Sequence, residues 1–158
     1  MKKSALISIS SAILLGGCAH HRPDHDKALD PSRPRVFVVD GRQIVVSPDP
    51  LVFPYKQGKV EITWVLPKES PYTFPVNGGI EIEGRLASQK IEQTANGGKT
   101  IVYVLERQND ITACRRIDPK EFSCTYVIPE SKRWKYKYTI RVEGGNTKLE
   151  PLDPWIIP

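Results

Sequence analysis

The sequence predicts an all-β protein, an antiparallel β-sandwich. Three observations carry that prediction. Short apolar runs repeat with period two, most clearly at Trp134, Tyr136, Tyr138, Ile140 and Val142, with Lys135, Lys137, Thr139 and Arg141 between them. That spacing puts alternate side chains on opposite faces of a strand. The chain carries 14 prolines and 11 glycines, and many of them punctuate these runs as turns. It has no internal repeat and no long helical pattern. Short strands with Gly and Pro turns at this spacing fit two packed sheets.

The elements follow in order. Val36 to Val39 and Ile44 to Val46 flank Asp40-Gly41, which reads as a hairpin. Ser47 to Pro54 holds Pro48, Pro50 and Pro54, too many missing N–H donors for a central strand, so it reads as an extended loop. Lys56-Gln57-Gly58 is a turn. Val60, Ile62, Trp64 and Leu66 alternate with Glu61, Thr63 and Val65 as a half-buried strand, with Trp64 as the core plug. Pro67 ends it, and residues 68–75 form a second Pro-containing loop. In Ile80-Glu81-Ile82-Glu83 the isoleucines face in and the glutamates out. Within Gly84 to Lys99 the pattern is weakest: Leu86 to Gln93 fits a short helix, because Leu86, Lys90 and Gln93 share one side. Asn96-Gly97-Gly98 is a turn. Ile101 to Leu105 is a dense apolar strand. Ile111 to Arg116 and Phe122 to Ile128 pair around Asp118-Pro119-Lys120, which sets Cys114 opposite Cys124. Gly144-Gly145-Asn146 is a turn, and Trp155-Ile156-Ile157 fits a short edge strand.

The first residues have a different character. Lys2 and Lys3 precede an apolar run from Ala5 to Leu15, and Leu15-Gly16-Gly17-Cys18 closes it. Positive start, apolar middle and small residues at the cut make residues 1–17 a secretory signal. The apolar part is far below the ~20 residues of a bilayer-spanning helix. The ending resembles the lipobox of bacterial lipoproteins, which implies that Cys18 is lipidated and begins the mature chain. By the same resemblance, Ala19 in the next position favours transfer to the outer membrane, facing the periplasm. Residues 18–34, with three prolines, mixed charge and no apolar periodicity, read as a disordered tether, and residues 35–158 as the sandwich domain. The tether contains all three histidines. His21 and His25, with Asp24 and Asp26, have the donor types for a loosely held transition metal, but a solvated spacer is the favoured reading. With Cys18 assigned to lipid, Cys114 and Cys124 remain, and an even pair in an exported chain suggests a disulfide. Two buried free thiols are the competing reading.

Several blocks carry a further resemblance: Val39-Asp40-Gly41-Arg42, Ser47-Pro48-Asp49-Pro50, Ile62-Thr63-Trp64, Gly79-Ile80-Glu81-Ile82-Glu83-Gly84, Phe122-Ser123-Cys124, Tyr136-Lys137-Tyr138-Thr139-Ile140 and Leu152-Asp153-Pro154-Trp155-Ile156. Together they resemble a group of small, uncharacterised proteobacterial envelope lipoproteins over roughly residues 35–157. That group implies no activity and no functional residues. The Tyr-Lys-Tyr-Thr-Ile pattern near a terminal Asp-Pro is also similar to immunoglobulin-like and cupredoxin-like sandwiches, which bears on the fold alone. A type-1 copper site needs two imidazoles, a thiolate and usually a thioether. Residues 35–158 contain no His and no Met, so the sequence excludes that site and implies no cofactor.

The composition narrows the chemistry. Mean hydropathy is −0.36, and 141 residues follow the signal, enough for one domain. Without Lys2 and Lys3 there are 21 basic against 18 acidic residues, a mild balance that gives no reason to expect nucleic acid. Nucleophilic catalysis of the Ser-His-Asp or Cys-His kind needs an imidazole, which the domain lacks. Glu81 and Glu83 share a strand face roughly 7 Å apart, and solvated carboxylates are the expected state there. The Gly pairs are turns, not phosphate loops. The most distinctive surface is Lys132, Arg133, Lys135, Lys137 and Arg141, a row suited to an anionic partner or, more plainly, a solvated face or guarded edge. The expectation is a lipid-anchored, non-enzymatic envelope protein that meets the membrane through its lipid and binds an envelope protein or anionic glycan. The alternative is a carboxylate-dependent enzyme acting on cell-wall or other carbohydrate polymer.

Overall fold

The computed structural model describes residues 29–54, 57–130, 133–145 and 148–157. Cys18, His20, His21, His25 and Lys132 lie outside them, as does the segment read as a secretory signal. Among the described residues there are ten strands and no helix. They form a two-sheet sandwich around a single hydrophobic core.

The first sheet contains β1 (Arg35–Val39), β2 (Gln43–Ser47), β4 (Lys59–Val65), β7 (Ile111–Asp118) and β8 (Glu121–Val127), in the order β2-β1-β4-β8-β7. The second contains β3 (Leu51–Val52), β5 (Ile80–Gln93), β6 (Lys99–Glu106), β9 (Tyr136–Ile140) and β10 (Trp155–Ile157), in the order β3-β10-β9-β5-β6. Six of the strand pairings are antiparallel. The exceptions are β1 with β4 and β3 with β10, which run parallel.

The predicted hairpin turns at Asp40 and Gly41, with φ of 52° and 64°. Two successive positive φ values are the primed turn that matches strand twist. In β4 the alternation holds, and Val60, Ile62, Trp64 and Leu66 all point into the core. Across the sandwich, Trp64 meets Tyr138 with ring centroids 5.4 Å apart, and Tyr126 meets Tyr136 at 5.4 Å. These contacts stitch the sheets together with the largest side chains available.

Four expectations change. Leu86 to Gln93 is strand, not helix, because β5 continues to Gln93 and pairs with β6 across one bulge between Leu86 and Ser88, with Gln89 opposite Tyr103 and Ile91 opposite Ile101. Cross-strand pairing with a β-branched partner overrides a weak helical pattern. The dense apolar run of β6 is not core: Ile101 is 52% exposed and its partner Ile91 70%. Both belong to a two-stranded arm whose far half extends past the core. Trp155-Ile156-Ile157 is an inner strand, with β3 outside it at the edge. The Pro-rich segment supplies that edge, and Leu51 and Phe53 from it are buried. Finally, the end of the segment read as tether is hydrogen-bonded to the domain. Thr63 N–H donates to the Ser32 carbonyl at 2.8 Å and Val65 N–H to the Pro34 carbonyl at 2.9 Å.

Cys114 and Cys124 form a disulfide between neighbouring strands, with Cα atoms 4.1 Å apart. The register slips between Thr112 and Arg115, so Ala113 and Cys114 bulge out of β7 opposite Cys124. Ala113 takes a φ of 51° to make that bulge.

Candidate functional site

The outward face of the second sheet gathers most of the polar chemistry. On β9, Tyr136, Tyr138 and Ile140 point inward and are fully buried, so Lys137 and Thr139 point outward. On β5, Glu81 stands opposite Thr139. On β10, Ile156 points inward and Trp155 outward, directly opposite Lys137. Strand alternation alone therefore places Glu81, Glu83, Lys137, Thr139 and Trp155 on one surface.

One part of that surface is a charged cleft of about 470 Å³. Its centre is Thr139, which is 4% exposed. The Thr139 Oγ1 is 2.5 Å from Glu83 Oε1 and 2.9 Å from Asp153 Oδ1. One hydroxyl carries one proton, so it donates to one carboxylate at a time. Lys137 Nζ serves both, 3.1 Å from Glu83 and 3.3 Å from Asp153. Burial works to lower the Lys137 pKa, but the two carboxylates outweigh it and hold the ammonium above its ordinary range. Arg141 Nη1 donates to Glu81 Oε2 at 2.7 Å.

The second part is an aromatic cleft of about 350 Å³ at the root of the arm. Tyr103 from β6 and Trp155 from β10 meet edge to face, with centroids 5.0 Å apart and planes at 71°. Lys135, Leu86, Gln89 and Asp49 line the rest. The Leu86 N–H donates to the Lys135 carbonyl at 2.7 Å, which continues the β5–β9 ladder into the cleft. Burial raises the Asp49 pKa, and a hydrogen bond from the Trp155 backbone partly offsets it.

The predicted cationic row is thus divided. Lys137 and Arg141 lie in the charged cleft with their carboxylates. Lys135 lines the aromatic cleft. Arg133 is exposed on the approach to β9. Glu81 and Glu83 do share the outward face, as their alternation implied. The sequence reading did not select Thr139, Asp153, Asp49, Tyr103 or Trp155 as site residues. Period two could have placed Thr139 outward between Lys137 and Arg141. Nothing local in the sequence brings Asp49, Tyr103 and Trp155 together, since they come from three distant segments. Among the described residues no group of three or more His, Cys, Asp or Glu is placed to hold a metal ion, and no helix is long and apolar enough to cross a membrane.

No protein-family model matches the chain, and no significant match appears among curated proteins or solved structures.

Proposed function

We propose that the protein is a lipid-anchored bacterial envelope protein whose sandwich serves as a non-enzymatic binding module, held through Cys18 at the periplasmic face of the outer membrane. The outward face of the second sheet is its binding surface, and its partner is an envelope protein or glycan. The observation that carries this reading is the pairing of two neighbouring clefts on one sheet, one aromatic and one charged. Exposed aromatic rings on a sheet offer contact area at small entropic cost. In the charged cleft the carboxylates are held by Lys137, Thr139 and Arg141, an arrangement suited to a fixed recognition surface.

Two experiments test it. Cys18→Ala should release the protein from membranes while its fold is retained; a variant that stays membrane-bound after a high-salt wash would refute the anchor. Photocrosslinking in living cells from position 89, on the proposed face, should give one dominant adduct, while position 115 on the other sheet gives none. Scattered adducts from both positions would refute the binding surface.

A second reading rests on the sharing of Thr139 by Glu83 and Asp153. Two carboxylates close together are the groups that a glycan-cleaving enzyme uses. Under that reading the purified protein degrades wall polymer, and Glu83→Gln abolishes the turnover. Equal turnover in Glu83→Gln would remove that carboxylate from the chemistry.

A further inference from the structure

The aromatic cleft has a more specific chemistry than the face as a whole. Tyr103 is 39% exposed although it lies against Trp155. An edge-to-face pair uses at most one ring face, and the exposed part of the Tyr103 ring is accessible to a ligand. The negative face of an aromatic ring attracts the slightly positive C–H groups on the flat side of a pyranose, and it excludes water from that side. Around the rings stand three polar groups of different kinds. Gln89 both donates and accepts, Lys135 only donates, and Asp49 accepts when ionised. Ring hydroxyls and an acetamido group need that mixture. Leu86 adds an apolar side chain to the lining.

The size is also restrictive. At about 350 Å³, the cleft lies near the small end of ligand pockets, which run from about 300 to 1,000 Å³. A folded peptide surface would not enter it. The walls are pre-set by the main-chain bond from Leu86 N–H to the Lys135 carbonyl at 2.7 Å and by the edge-to-face contact of Tyr103 with Trp155. Pre-set walls reduce the ordering cost of binding.

We propose that the cleft bounded by Tyr103, Trp155, Gln89 and Lys135 is a saccharide site that takes an N-acetylated pyranose. This deepens the binding-module reading and rests on it. Rings stack on Tyr103 or Trp155, the acetamido group bonds Gln89, and its methyl rests against Leu86.

The test is a titration of the full chain, purified in detergent, with chitobiose and with cellobiose, which lacks the acetamido groups. Two-dimensional NMR and tryptophan fluorescence are the readouts. Chitobiose should shift the signals of Gln89, Tyr103, Lys135 and Trp155 and leave the first sheet unchanged. Trp155→Ala should weaken binding about tenfold or more. Gln89→Ala, on the exposed arm, should weaken it without touching the core. Cellobiose should bind more weakly than chitobiose, and the difference should vanish in Gln89→Ala. Equal binding of the two sugars overturns the acetamido assignment. Absence of any shift at the cleft overturns the saccharide site. If position 89 still crosslinks to one envelope protein in cells, the binding-module reading survives that result; if it does not, both readings fall. Retention of the full chain on wall sacculi or on lipopolysaccharide, but not both, names the source of the sugar, and retention on neither overturns an envelope glycan as the ligand.

Discussion

Tyr136 donates its phenolic proton to Asp110 Oδ2 at 2.7 Å. Tyr136 belongs to β9 in the second sheet, and Asp110 immediately precedes β7 in the first. The bond therefore crosses the sandwich at the point where the chain changes sheets. A hydrogen bond to a charged group contributes about 1.5–3 kcal/mol. Tyr136→Phe should lower the unfolding free energy by about that amount in urea. A double-mutant cycle with Asp110→Ala should show coupling between the sites; additive losses would remove the bond from the account.

Alkaline pH should destabilise the fold. Burial pushes the hydroxyls of Tyr126, Tyr136 and Tyr138 well above the ordinary tyrosine value of 10.0. At Tyr136 the bond to Asp110 adds to that rise, while the nearby Trp64 partly offsets it at Tyr138. Tyr126 and Tyr138 have no hydrogen-bond partner for their hydroxyls in good geometry among the described residues. A raised pKa means that the folded chain keeps protons which the unfolded chain releases. The stabilisation is complete below about pH 10 and is lost above it, at up to about 1.4 kcal/mol per pH unit for each tyrosine. Urea midpoints between about pH 8 and about pH 10.5 should fall, and Tyr138→Phe should flatten the decline. An unchanged slope in that variant would show that Tyr138 takes no part.

The disulfide should hold an edge strand that the core grips weakly. Ile111 is the only residue of β7 that is buried. Cys114 and Cys124 are 10 residues apart, and closing a loop of that size stabilises by roughly 3 kcal/mol in the chain-entropy model. Reduction should raise the intact mass by about two hydrogens. It should also speed amide exchange along β7 while β4 stays protected. Uniform acceleration over both strands would mean that β7 is not separately held.

Gly84 sits at the root of the arm, where β5 slips register against β9 between Ile82 and Gly84. A Cβ there would come within 2.7 Å of the Glu106 carbonyl oxygen and 3.2 Å of Leu105 Cβ. Backbone cannot yield as a flexible side chain does. Gly84→Ala should cost about 1–3 kcal/mol and displace β6, which would carry Tyr103 away from Trp155. A variant as stable as the parent would show that the arm root has slack.

The strands most readable in the sequence are those buried on one face with strict alternation. Val60 to Leu66 and Tyr136 to Ile140 show that period directly, and their inward residues are buried in the core. The Asp40-Gly41 turn was equally legible, because few residue pairs accept two positive φ values. The arm was not legible. Beyond its root its residues are solvated on both faces, so no burial pattern is imposed on them, and Leu86, Lys90 and Gln93 matched a helical spacing by chance.

The candidate site divides along the same line. By itself the sequence determined an all-β chain, an outward position for Glu81, Glu83, Lys137 and Arg141, and the facing of Cys114 and Cys124, since alternation and short turns are local and repeat every two residues. Only the tertiary structure decided that Lys137 lies between Glu83 and Asp153, and that Tyr103 rests on Trp155 beside Asp49. Those contacts join residues 16 to more than 50 positions apart. They depend on strand order and register, which arise from packing the whole core and leave no trace in any short window of sequence.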